Sequence, residues 1–243
     1  STVGGASITS TGNVKSTNEN VIRAYAGSTG DILVQSQGTI DALSRGIETY
    51  NAGSGNTVIS QTGDIGFNGG PVAETGVTSF INGDGNTTIT VNGDIAAVKE
   101  GILAYTQGAG STTINHTGDI VTATGRGISA QTGGNVTIKN AGDIESGNYS
   151  IYAVSFQAGA SVTIDNNGAV TSSSNTAIHA ISAGAGGTVD LTQMGDVSHG
   201  GQRGVFALAN GNATVDIMGS VTMSSPSGGK DGVNVQSSSG MAS

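Results

Sequence analysis

The chain has 243 residues, no cysteine and a formal net charge of −9, with 35% hydrophobic, 4% aromatic and only 10% charged residues. These figures exclude disulfides, Cys-ligated zinc and a thiol nucleophile, and no stretch reaches the roughly 20 apolar residues of a membrane-spanning helix. Low charge and only two prolines argue against disorder, while 42 glycines fit a small, regular core served by many turns.

Read from the N-terminus, the first element is a short apolar segment around Ile8, followed by a turn at Gly12, a second segment at Val14 and a third at Ile22. The same order then returns along the whole chain. It is plainest in "TTITVNGDI" at 87–95 and "TTINHTGDI" at 112–120. The turn glycines are Gly12, Gly38, Gly63, Gly93, Gly118, Gly142, Gly168, Gly195 and Gly219, spaced 24 to 30 residues apart. Four residues before each stands an aliphatic, from Ile8 and Val34 to Leu191 and Val215. Two residues after each stands another, from Val14 and Ile40 to Val197 and Val221. A third set comprises Ile22, Ile47, Val77, Ile102, Ile128, Ile151, Ile178, Val205 and Val233, with Val77 and Val233 delayed by about four residues.

Each unit therefore reads as three short β segments separated by Gly, Asn, Asp and Ser turns. Val and Ile favour a pleated surface, yet segments this short cannot form a stable sheet alone. Stacking equivalent segments from successive units solves that. The expected fold is all-β: one right-handed parallel β-helix over residues 1–243, about nine coils of about 25 residues with three strands per coil. A propeller needs a period of about 40–50 residues, leucines are too few for a leucine-rich repeat, and GGxGxD calcium repeats are absent.

Two coils carry insertions, near 66–76 ("GFNGGPVAETG") and 222–232 ("TMSSPSGGKDG"), and both prolines, Pro71 and Pro226, fall in them. Proline is kept out of stacked strands, so this agrees with the register. Loops on a rigid scaffold often carry function, which makes Phe67, Pro71, Glu74, Pro226, Lys230 and Asp231 candidate binding residues. The glycine of "TGDI" and the one before the third segment are both expected in tight corners with positive φ. The Asp beside the former (Asp64, Asp94, Asp119, Asp143, Asp196) is expected to cap backbone N–H groups. A metal ladder fits it less well, because Asn13, Thr39, Ala169 and Ser220 hold the same position.

The third segment is anomalous. Alternation sends the residues one and three places after its inward aliphatic outward. Those positions hold Tyr25, Tyr50, Phe80, Tyr105, Tyr152 and Phe206, with Leu103, Val154, His179, Ile181 and Leu208. Three readings are open: a bend that turns the ladder into the core, cover by another chain, or an exposed face for a receptor or glycan. Contiguous exposed apolar surface marks contact sites, and aromatics anchor them. Thr88, Thr113, Thr137 and Thr163 form a short outward ladder on the first segment, flanked by Val58 and Asp190; ice binding is the functional reading and ordinary strand chemistry the plain one.

No catalytic set is expected. Acids are spread singly, the four arginines (Arg23, Arg45, Arg126 and Arg203) never gather, and the eight basic residues form no basic patch. His116, His179 and His199 fall at different phases of the repeat. General acid–base chemistry needs groups within hydrogen-bond reach. Neither a cofactor nor a metal is expected, and nucleic acid is not an expected partner.

The unit "GDI…GILAYTQGAGSTTI" resembles the passenger repeats of bacterial autotransporters, of the Gly/Thr/Asn-rich β-helix type, over about residues 6–235. The resemblance implies a secreted rod, or one on the surface of a Gram-negative bacterium, acting in adhesion by binding a host or neighbouring-cell surface protein or glycan. It would reach the membrane only through a C-terminal barrel outside this sequence. A structural stalk is the alternative, and a polysaccharide-acting β-helix enzyme the second. Unpaired strand edges at the coil ends also invite self-association.

Overall fold

In the computed structural model, residues 4–66, 69–224 and 231–239 are described. They form a parallel β-solenoid of about nine coils, with no helix among the described residues. Three nine-stranded sheets run along it, and every strand pairs in parallel with its equivalent one coil away. At about 4.8 Å per coil the stack is on the order of 40 Å long.

All three aliphatic ladders are in the expected register. Ile89 pairs with Ile59 and Ile114 in the first sheet, and Ile95 with Ile65 and Ile120 in the second. Ile102 pairs with Val77 and Ile128 in the third. These side chains fill one continuous core and are fully buried in the middle coils. Each buried Ile contributes about 1.5–3 kcal/mol. The insertion after Gly66 returns to the stack: Val72 bridges Ala97 and is buried, while Pro71 stays exposed.

The corners use two different glycine devices. The "TGDI" glycine has positive φ in the first five coils, 106° at Gly38 and 121° at Gly118, for example. The glycine before the third strand does not, contrary to expectation. It is small because the next coil's aliphatic lies against it: a Cβ on Gly127 would sit 2.2 Å from Ile144 Cγ2.

The corner aspartates cap backbone N–H groups as expected, but across coils. The Asp94 N–H donates to Asp64 Oδ1 (2.9 Å), Asp119 N–H to Asp94 Oδ1 (2.8 Å) and Asp143 N–H to Asp119 Oδ1 (2.9 Å). A second such ladder, not anticipated, runs before the first strand through Asp31, Asn56, Asn86 and Ser111.

The interior is not wholly apolar. His116, Asn140, Asn166 and Gln193 stand in register on the inner side of the first sheet. Asn140 Nδ2 donates to Asn166 Oδ1 (2.7 Å), and Asn166 Nδ2 to Gln193 Oε1 (2.7 Å) and Gly168 O (2.6 Å). Satisfied in this way, the buried amides cost little.

Candidate binding face on the third sheet

The third-strand ladder points outward. In Ile22–Ala26 the buried residues are Ile22, Ala24 and Ala26, and Arg23 and Tyr25 are exposed. The same alternation carries Tyr50, Phe80, Tyr105, Tyr152 and Phe206 to the outer face, so the strand does not bend the ladder into the core. Exposure falls along the face, from 63% at Tyr25 and 36% at Tyr50 to 7% at Phe206.

The six aromatic candidates split into two columns. Tyr25, Tyr50, Phe80 and Tyr105 follow one another three places after the aliphatic. Tyr25 and Tyr50 stack at 5.5 Å between centroids, and Phe80 and Tyr105 tilt at 6.2 Å. Tyr50 Oη accepts a hydrogen bond from Asn82 Nδ2 (2.7 Å). Tyr152 and Phe206 lie in the other column, one place after the aliphatic, with His179 between them. Tyr152 and His179 stack at 5.1 Å, and His179 meets Phe206 at 5.1 Å. Tyr149 packs edge-on against both Tyr152 and His179.

Guanidinium groups close both ends of this second column. Arg126 lies 4.3 Å over the Tyr152 ring and Arg203 lies 4.6 Å over the Phe206 ring. Burial, and then the two arginines, push the His179 pKa down from 6.5 to about 4, so the ring is neutral at physiological pH.

The arginines share a face, although Arg45, Arg126 and Arg203 stand successively three coils apart along it. Arg45, Arg126 and Arg203 each stand two residues before the third-strand aliphatic, in "RGI", "RGI" and "RGV", and Arg23 lies on the same face. A shared phase in a solenoid means a shared face, and adjacent coils are only about 4.8 Å apart. Separation by a coil is therefore contact, not isolation. In the first coils the result is an ion-pair network. Glu48 meets Arg23 (3.0 Å) and Arg45, and Glu74 meets Arg45 (2.7 Å) and Lys99 (2.9 Å). The Lys99 hydrogen bond leads the effects that hold the Glu74 carboxyl below its ordinary range. Glu74, expected on a free binding loop, is thus tied into the face.

Of the other loop candidates, Phe67, Pro226 and Lys230 lie outside the described residues. Asp231 is exposed, 3.6 Å from Arg203, and accepts from Asn234 Nδ2 (2.6 Å). The returning insertion also borders a groove of about 520 Å³ on the second sheet, rimmed by Asp41, Asp64, Asp94 and Asp119. His116 and His199 are buried on the inner sides of the first and second sheets, away from His179 outside the third. Among the described residues no three His, Asp or Glu side chains come together as a metal site.

Compared with family models, with curated proteins and with solved structures, the chain matches none.

Proposed function

We propose that this chain is a non-catalytic binding rod. Its outer third-sheet face engages a surface component of a host or neighbouring cell, as the passenger of an autotransporter on or released from a Gram-negative outer membrane would. The observation that carries the reading is the outward placement of the aromatic and aliphatic side chains on one sheet, where a solvated solenoid face needs only polar residues. The scattered histidines support a role without turnover.

The test is the double variant Tyr50→Ser, Tyr105→Ser. Fluorescently labelled protein is incubated with epithelial and bacterial cells and bound label is read by flow cytometry, with a melting curve on the same samples. Wild type should bind one of the cell types, and the variant should lose most of that binding at an unchanged Tm. Equal binding by both proteins, or none by either, removes the face from the reading. The runner-up is a stalk that presents another domain. It is favoured by one observation: the rings of the second column spend their faces on one another and on the arginines, which would cover the sheet with no partner at all.

A further inference from the structure

The two halves of the third-sheet face differ in charge. In the first four coils the cations are matched by Glu48 and Glu74. Between Gly125 and Ala209 they are not. The five acids of that span, Asp143, Glu145, Asp165, Asp190 and Asp196, all lie on the first or second sheets or at the corner between them. On a chain of net charge −9, this part of the third sheet bears two arginines and no carboxylate.

Arg126 is the better defined of the two. Its guanidinium stacks on Tyr152 and lies 5.7 Å from the Tyr149 centroid, and Nη1 donates to Ser129 Oγ (3.1 Å). No carboxylate among the described residues lies within 4.0 Å of it. Glu100, one coil away, feels its charge; burial pushes that carboxyl's pKa up and Arg126 opposes the shift. Arg203 has only the 3.6 Å approach of the exposed Asp231. The two forks stand three coils apart, about 14 Å along the axis. Between them lie the half-buried rings of Tyr149 and Tyr152 and the half-buried Ile181 and Leu208, which continue a column from the buried Val154.

We propose that this stretch of the third sheet binds a carboxylate-bearing polysaccharide, its acid groups taken by Arg126 and Arg203 and its neutral ring surfaces laid along the column between them. The inference rests on the third-sheet face being a binding surface. A stacked, planar guanidinium is ordered in advance for a two-point hydrogen bond to a carboxylate. The wide spacing of the forks, with apolar and hydroxyl surface between, suits a polymer whose charges are separated by uncharged atoms. Nucleic acid does not suit it: duplex DNA carries about one charge per 1.7 Å, too dense for two arginines on an acidic rod. A peptide added as a further strand would need a free sheet edge, and the backbone of these strands is used by the coils on either side.

The test is biolayer interferometry of the full chain on immobilised polygalacturonate, its methyl ester, dextran sulfate, polyglutamate and dextran, in 0.15 M NaCl. The variants are Arg126→Gln, Arg203→Gln, Arg126→Lys and, as control, Lys139→Gln on the exposed outer side of the first sheet, all checked for folding by circular dichroism. Polygalacturonate should bind, and its methyl ester and dextran should not. Each Arg→Gln change should weaken binding about tenfold, Arg126→Lys should recover part of the loss, and Lys139→Gln should change nothing. Equal binding of dextran sulfate or polyglutamate would show charge attraction alone and overturn the proposal. So would no binding of polygalacturonate by folded protein, or Arg variants that bind as wild type. If polygalacturonate fails while cells are still bound through Tyr50 and Tyr105, the ligand class is wrong and the binding face stands. If cells fail too, the face itself is wrong.

Discussion

Acid should loosen the second aromatic column, and His179 sets where. The ring lies between Tyr152 and Phe206, with Tyr149 at its edge and Arg126 and Arg203 as the charges that face it. Burial first, then those arginines, lower its pKa from 6.5 to about 4. The unfolded chain takes up the proton below about 6.5 and the folded chain only near 4, so between these values the unfolded state holds more protons. Stability from this group is therefore complete above pH 6.5, is lost as pH falls toward 4, and changes no further below that. At about 1.4 kcal/mol per pH unit the gap bounds the loss at roughly 3 kcal/mol, and partial solvent screening reduces it to about 2–3 kcal/mol. His179→Phe keeps a ring in the stack and removes the titration. Guanidinium unfolding of both proteins, followed by circular dichroism from pH 7.5 to 3.5, should show wild type losing about 2–3 kcal/mol more than the variant over that window. His116, whose pKa burial also lowers, is present in both proteins and cancels in the difference. Parallel stability curves, within about 0.5 kcal/mol, would refute the picture of a histidine desolvated between two arginines.

Two further predictions address the interior. Asn166→Ala removes one acceptor of Asn140 Nδ2, which keeps Gly142 O, and the donor to Gln193 Oε1, leaving that buried oxygen unsatisfied. The cost should be about 1–3 kcal/mol by denaturant titration. Asn166→Gln should cost far less, because Gln61 and Gln193 already occupy this column, and equal losses for the two changes would argue against the ladder. Gly127→Ala drives a Cβ into Ile144 Cγ2 and should lower stability by about 1–3 kcal/mol. Adding Ile144→Val should not recover it, because valine keeps both γ carbons and the Ser150 carbonyl oxygen would still lie 2.6 Å from the new Cβ; a double variant restored to wild-type stability would contradict that.

The fold was legible because the solenoid writes each core ladder as a period. The aliphatics fall at fixed offsets from a turn glycine, so even the insertion before Val77 could be placed by resuming the count. The corner aspartates were legible as caps because a short carboxylate beside a tight turn has few other uses. The glycine before the third strand was misread because sequence shows only that no side chain fits. Positive φ and a neighbouring methyl group both demand that, and only coordinates separate them. The inner amide column was missed because Asn140, Asn166 and Gln193 sit among many Asn and Thr residues whose facing depends on strand phase.

The candidate site shows the same limit from another side. Its aromatic residues were found by parity, which sequence gives directly, and its arginines were overlooked because they were counted along the chain. In a linear count Arg126 and Arg203 are 77 positions apart. In a solenoid the coordinate that matters is phase, and theirs is the same. Distance then collapses to the number of coils times about 4.8 Å, which brings residues in successive coils into hydrogen-bond reach and residues three coils apart onto one face. Side chains pointing out of a strand do not enter the core, so the outer columns can change chemistry while the inner ladders hold the stack. That independence is what lets coils of nearly identical inner composition carry an ion-pair network at one end of the third sheet and an arginine-capped aromatic column at the other.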